Sequence, residues 1–186
     1  MVRSAAKLGL RDFAESYPQE GVAKIAAAAL DGLCWHFVGQ VQSNKTRLLA
    51  ERFDWVHGVD RLQIAARLSA QRPHYAPPLD VCLQVKLAPE PGKAGVAPEE
   101  VAALAAEVAA LPRIRLRGLM CIPPETRDES EQRRQFRRLR ELQVALNAAG
   151  HELDVLSMGM SGDFESAIRE GATHVRIGTA IFGPRN

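Results

Sequence analysis

Two stretches in the last third of the chain carry side chains and spacings suited to holding an anion. The first is Leu156-Ser157-Met158-Gly159-Met160-Ser161-Gly162-Asp163. The second is Val175-Arg176-Ile177-Gly178-Thr179-Ala180-Ile181-Phe182-Gly183. Each is an apolar strand that runs into small and hydroxyl residues. Small residues at a strand end let backbone N–H groups approach a ligand closely. Ser161 falls where the next helix begins, so its hydroxyl and nearby amides are placed for an anion. Two such turns, after the last two strands of an α/β barrel, make a phosphate cradle. Either turn alone reads as an N-cap serine or an ordinary strand-to-helix turn. The pair, in this order, predicts a phosphate site.

The elements that must position these turns alternate along the chain. Strand-like segments fall at 11–17, 34–39, 56–59, 80–87, 115–122, 153–158 and 173–178. Helical segments fall at 18–30, 43–53, 61–72, 98–111 and 128–149, with a further helix ending near Gly171. Helix 98–111 repeats Val101, Leu104, Val108 and Leu111 as one apolar stripe, and helix 128–149 does so with Phe136, Leu139, Leu142 and Leu146. Asp128 with Glu131 predicts a capping box, and Gly150 a C-terminal stop. The run Arg133-Arg134 and Arg137-Arg138 reads as that helix's solvated face. This order implies a parallel sheet with right-handed crossovers. No Gly-x-Gly-x-x-Gly fingerprint is present, which argues against a dinucleotide fold.

Strand alternation assigns the faces. Val81, Leu83, Val85 and Leu87 lie on one side of segment 80–87, and Cys82, Gln84 and Lys86 on the other. His36 shares a side with Cys34 and Val38, and Arg176 with His174. If the apolar sides meet the helices, His36, Gln84, Lys86 and Arg176 point into the barrel. Unpaired polar groups there are costly, so either a polar ligand at the mouth or an internal hydrogen-bond network must satisfy them.

Composition narrows the class. A chain of 186 residues, 46% hydrophobic, can bury a core as a single domain over 1–186. A net charge of +2 is too balanced for a nucleic-acid binder. Cys34, Cys82 and Cys121 lack metal-ligand spacing and sit in apolar strands, which reads as buried thiols in a reducing, cytoplasmic setting. No signal peptide or membrane span is visible. Eight βα units need roughly 250 residues. The chain is short of that by about one unit of roughly 30 residues. Its opening residues, Val2 to Leu10, read as a helix end with its glycine, so the expectation is a barrel incomplete at its N-terminus.

Four motifs then resemble a known family. They are Trp35-His36-Phe37-Val38-Gly39-Gln40-Val41-Gln42-Ser43-Asn44-Lys45, Arg117-Gly118-Leu119-Met120, Ser157-Met158-Gly159-Met160-Ser161 and Arg176-Ile177-Gly178-Thr179-Ala180-Ile181-Phe182-Gly183. In this order they are similar to the pyridoxal-phosphate homeostasis proteins, single-domain relatives of the alanine racemase barrel. The resemblance implies a TIM (β/α)8 barrel of the alanine racemase N-terminal type, here lacking its first strand and most of its first helix. It implies pyridoxal 5′-phosphate at the mouth, with Ser161, Gly178 and Thr179 on the phosphate and Arg176 near the pyridine nitrogen. It also sets Ser157, Met158, His36 and Asn44 among the cofactor contacts. It implies a role in cofactor homeostasis without a catalytic reaction, and a monomer as the complete fold. Open strand edges would favour self-association of this chain.

The sequence departs from the family in two places. The family's cofactor-linking lysine lies on the first strand, in a Val-Ser-Lys-like segment that is absent here. The stretch Phe13-Ala14-Glu15-Ser16-Tyr17 has Ala14 and Ser16 where many members have Gly and Asn. Lys86 is the candidate to replace the lysine, while Lys45 and Lys93 read as loop or anion contacts. Two other readings stay open: a pyridoxal-phosphate racemase-like enzyme, and a phosphate-sugar barrel enzyme that uses no such cofactor.

Overall fold

The computed structural model describes residues 1–88 and 94–183. The chain opens with helix α1 (Val2–Lys7), strand β1 (Asp12–Glu15), α2 (Pro18–Ala28) and β2 (Cys34–Phe37). It continues with α3 (Thr46–Arg52), β3 (Trp55–Val59), α4 (Leu62–Gln71), β4 (Leu79–Gln84), α5 (Val101–Ala109) and β5 (Ile114–Met120). It closes with α6 (Glu129–Ala148), β6 (Val155–Met160), α7 (Phe164–Arg169), β7 (His174–Arg176) and α8 (Thr179–Phe182). Every expected strand and helix is found. The helices expected at 43–53 and 98–111 begin as 3-10 turns, Ser43–Lys45 and Pro98–Glu100.

All seven strands are parallel and lie in sequence order, β1 to β7. The sheet curls into a nearly closed barrel. Its curvature brings His174 of β7 to ring-centroid distances of 5.7 Å from His36 of β2 and 5.4 Å from Trp55 of β3. Among the described residues, strands β1 and β7 do not pair with each other. Gly118 lets β5 and β6 close up, since a Cβ there would sit 1.8 Å from the Val155 carbonyl oxygen.

Alternation sorts the side chains as expected. Val81, Leu83, Val85 and Leu87 join the large core between sheet and helices. Cys82 turns inward and packs with Trp55, Met120, Val155 and Cys34 inside the barrel. Asp80, Arg115, Arg117 and Asp154 form an ion-pair network at the N-terminal ends of the strands, with the Arg117 guanidinium 5.0 Å from the centre of the Trp55 ring.

Two expectations about α6 are corrected. The Asp128 carboxylate does cap the helix, accepting from the Ser130 N–H at 2.9 Å. Glu131 does not complete a capping box; its carboxylate turns along the helix to Arg134 and Gln135. Nor is the arginine run simply a solvated face. Arg133 and Arg137 hold the buried Glu170 carboxylate at 2.8 and 2.9 Å, with Arg140 at 3.5 Å, and Arg138 donates to the Leu87 carbonyl. Arg133, Arg137 and Arg140 fasten α6 to the residue after α7, and Arg138 fastens it to the loop after β4. The C-terminal stop is confirmed: Gly150 has φ +100°, a conformation that suits glycine.

Candidate functional site

The cradle forms at the C-terminal mouth, where β6 and β7 end. Ser161 and Gly162 occupy the turn between β6 and α7, and Gly178 leads into α8. Among the described residues, the backbone N–H groups of Ser161, Gly162, Thr179 and Ala180 have no hydrogen-bond acceptor. The first amides of a helix have no intrahelical partner, so Thr179 and Ala180 are free to donate outward. The hydroxyls of Ser161 and Thr179 are accessible there. Asp163, whose carboxylate could repel an anion, is drawn back: its Oδ1 accepts from the Met160 N–H at 2.6 Å. This set of amides and hydroxyls offers donors, which fit the oxygens of a phosphate.

Arg176 is the last residue of β7, two residues before Gly178. Its guanidinium donates to Ser157 Oγ at 2.9 Å and to the Cys121 carbonyl at 2.8 Å. Burial pulls its pKa below the usual arginine value. Ser157 Oγ lies 2.7 Å from Nδ1 of His57, and His57 Nε2 lies 3.0 Å from Nδ1 of His36. His36 Nε2 lies 3.1 Å from Asp12 Oδ1. The five side chains therefore form one relay through the barrel, cationic at Arg176 and anionic at Asp12.

One arrangement of protons satisfies the whole relay. Arg176 donates to Ser157, the Ser157 hydroxyl to His57, His57 Nε2–H to His36, and His36 Nε2–H to the Asp12 carboxylate. Both imidazoles are then neutral. Burial agrees with this: it lowers the pKa of His57 well below the usual value, with His36 and Arg176 adding repulsion. Burial also lowers His36, although Asp12 opposes it. His174 is lowered by burial and by His36.

The residues expected from the sequence divide into three groups. Ser161 follows β6, while Gly178 and Thr179 follow β7, at the C-terminal ends of two neighbouring strands, and Arg176 is the last residue of β7. Ser157 is buried in the relay and serves Arg176 rather than the mouth. His36 and Gln84 were candidates for a ligand or for an internal network, and the network is what satisfies them. His36 has protein partners on both ring nitrogens, and Gln84 donates to the Ala94 carbonyl at 3.0 Å. Met158 points outward into the core under the helices, so only its backbone can reach the mouth. Asn44 is exposed on the 3-10 turn after β2, with no hydrogen bond to the cradle.

Lys86 lies just past the end of β4. It lines a cleft of about 310 Å3 at the mouth, together with Val38, Gly39, Gln84 and Ile122. Lys45 is half-buried at the end of its 3-10 turn. Lys93 lies outside the described residues. The sequence reading missed Trp55 and His57, and it set His174 on the face of Arg176 without giving it a role. His57 was detectable in principle: it lies two residues from Trp55 and shares the inward face of β3 with it.

Seven parallel strands in sequence order, each joined to the next through a helix in a nearly closed barrel, define the class of barrel to which the N-terminal domain of alanine racemase belongs. The profile of the alanine racemase N-terminal domain family matches residues 1–186. A pyridoxal phosphate homeostasis protein of Pseudomonas aeruginosa is 58% identical over 185 residues, covering 100% of this chain and 79% of its own length. One from Escherichia coli is 51% identical over 191 residues, covering 100% of this chain and 80% of its own. The chain belongs to the pyridoxal phosphate homeostasis protein family. Among solved structures, PipY of Synechococcus elongatus with pyridoxal phosphate bound superposes with a TM-score of 0.91 at 38% identity, over 98% of this chain and 86% of that one. An alanine racemase of Clostridium difficile shares the fold at a TM-score of 0.79 and 16% identity.

Proposed function

We infer that this protein binds pyridoxal 5′-phosphate reversibly at the barrel mouth and serves to hold or deliver the cofactor in the cytoplasm, without catalysing a reaction of its own. The observation that carries this reading is the set of donors at the ends of β6 and β7: unpartnered amides and hydroxyls at Ser161 and Thr179, with the half-buried Arg176 guanidinium at the end of β7. The cradle matches a phosphate monoester. Arg176 suits the far side of a planar ring with an acceptor nitrogen. Names of homeostasis proteins rather than enzymes among the close relatives agree with this reading. Among the described residues, no helix is long and apolar enough to cross a membrane.

Bound pyridoxal phosphate supplies an electron-withdrawing ring and a reactive aldehyde. The chain's own residues limit that chemistry. Arg176 is a donor with no proton to spare, and a cation beside the ring nitrogen disfavours its protonation, which weakens the ring as an electron sink. Ser157 and the Cys121 carbonyl hold the guanidinium in place. The half-exposed mouth leaves the aldehyde end open to water and to an acceptor.

The test is the affinity of the purified chain for pyridoxal phosphate and for inorganic phosphate, by equilibrium dialysis. Ser161→Ala and Thr179→Val each remove a hydroxyl worth roughly 1.5–3 kcal/mol toward a charged group, or about 10- to 150-fold in affinity. The folds of both variants should be unaffected, because both side chains sit at the surface of the mouth. Unchanged affinity in both variants would show that the two residues only form turns.

A further inference from the structure

The end of the barrel opposite the mouth gathers a second set of side chains that could hold a ligand. Asp12 opens β1 and pairs in register with Cys34, which opens β2. His36 follows Cys34 by two residues and so points to the same face. One carboxylate oxygen, Sγ and one ring nitrogen from these three lie within 4.8 Å of one another. Among the described residues, this is the one such group of three or more.

We propose that Asp12, Cys34 and His36 form a binding site for a divalent transition metal ion of the zinc class. The donor set decides the class. One sulfur, one nitrogen and one oxygen suit borderline-soft zinc, whereas calcium and magnesium take oxygen alone. Zinc bonds of about 2.0–2.3 Å place neighbouring ligand atoms roughly 3–4 Å apart. His36 Nε2 and Asp12 Oδ1 already stand 3.1 Å apart. The Asp12 side chain is 69% exposed, so it can swing to bring the set together. A separate observation supports the site. A metal-bound histidine nearly always donates its second N–H to an outer partner that fixes the ring. With Nε2 on the ion, the His36 proton moves to Nδ1 and donates to His57 Nε2, 3.0 Å away, and His57 Nδ1–H donates to Ser157, the reverse of the ion-free relay. Stacking at 5.4 Å against Trp55 holds the same ring from its face.

The surroundings also suit a cation. Asp54 and Asp80 stand near Cys34 in addition to Asp12. Asp80 is already paired with Arg115 and Arg117, Asp54 accepts from the Trp35 N–H at 2.8 Å, and Asp12 faces His36. Asp12 is exposed and Cys34 half-buried, so an ion has a path from solvent, while His36 forms the closed end. The protein supplies three ligands, and the fourth position falls to water or to His174. The site needs no pyridoxal phosphate and does not rest on the cofactor reading.

The experiment is titration of the reduced, metal-free chain with cobalt(II) alone, followed by displacement with zinc(II) alone. The expected result is one equivalent of cobalt with a thiolate-to-cobalt absorption band that zinc removes. Cys34→Ser should abolish the band, while Cys82→Ser and Cys121→Ser keep it. Asp12→Asn, which keeps an oxygen to accept from His36 Nε2–H and so preserves the relay, should weaken binding about tenfold or more, and His57→Asn, at the outer partner, about 10- to 100-fold. Absence of the band in the unaltered chain overturns the proposal. So does a band that survives Cys34→Ser, or an Asp12→Asn variant that binds cobalt as tightly as the unaltered chain.

Discussion

Replacing Ser157 by alanine removes a single oxygen on which two buried groups depend. That oxygen accepts from Arg176 at 2.9 Å and lies 2.7 Å from His57 Nδ1, and Ser157 is fully buried. A hydrogen bond to a charged group contributes about 1.5–3 kcal/mol net, and a buried polar atom left without a partner costs about 1–3 kcal/mol. The two terms share one atom and do not add fully, so the expected loss is about 2.5–4 kcal/mol. Urea denaturation should show it as a lower midpoint with an unchanged slope. Arg176 keeps its bond to the Cys121 carbonyl but loses half of its anchorage. Pyridoxal phosphate affinity should therefore fall about tenfold, an effect of roughly 1.4 kcal/mol. Affinity for inorganic phosphate should hold, because the cradle amides are untouched. A stability cost below about 1 kcal/mol would refute the relay as a structural element. Equal losses for the cofactor and for phosphate would refute the assignment of Ser157 to Arg176 rather than to the cradle.

Acid should destabilise the protein through the interior histidines. His36, His57 and His174 have pKa values lowered by burial, so the folded state keeps them neutral while the unfolded chain takes up protons near pH 6.5. Their stability contribution is complete above that pH and is lost as pH falls below it, by about 1.4 kcal/mol per pH unit for each histidine that charges only on unfolding. Denaturation midpoints measured from pH 8 to pH 5 should show the slope, and His57→Gln should reduce it; a flat profile would count against neutral buried imidazoles. Gly118→Ala should destabilise by about 3 kcal/mol or more, since its Cβ would meet the Val155 carbonyl, which is backbone and cannot swing aside. A variant that melts like the unaltered chain would show that β5 and β6 can separate at that point.

Local pattern made much of this protein legible. Apolar stripes and strand alternation gave the seven strands, their parallel order, and the inward direction of Cys82, Gln84 and Arg176. Small and hydroxyl residues at the ends of β6 and β7 gave the cradle, because the need for close backbone approach acts on residues adjacent in the chain. The capping box failed for a local reason: the Glu131 carboxylate found Arg134 and Gln135 along the helix before the N-terminus. What the sequence by itself could not decide was partnership across the barrel. Ser157 meets His57 from 100 residues away, and Arg133, Arg137 and Arg140 meet Glu170 only because α6 lies beside α7. An inward polar side chain must find a partner, and alternation reports its direction but not what stands opposite. Strand pairing and the curvature of the sheet supplied that: they turned His36 from a candidate ligand contact at the mouth into a link between His57 and Asp12, and the register of β1 with β2 set Asp12, Cys34 and His36 within 4.8 Å of one another.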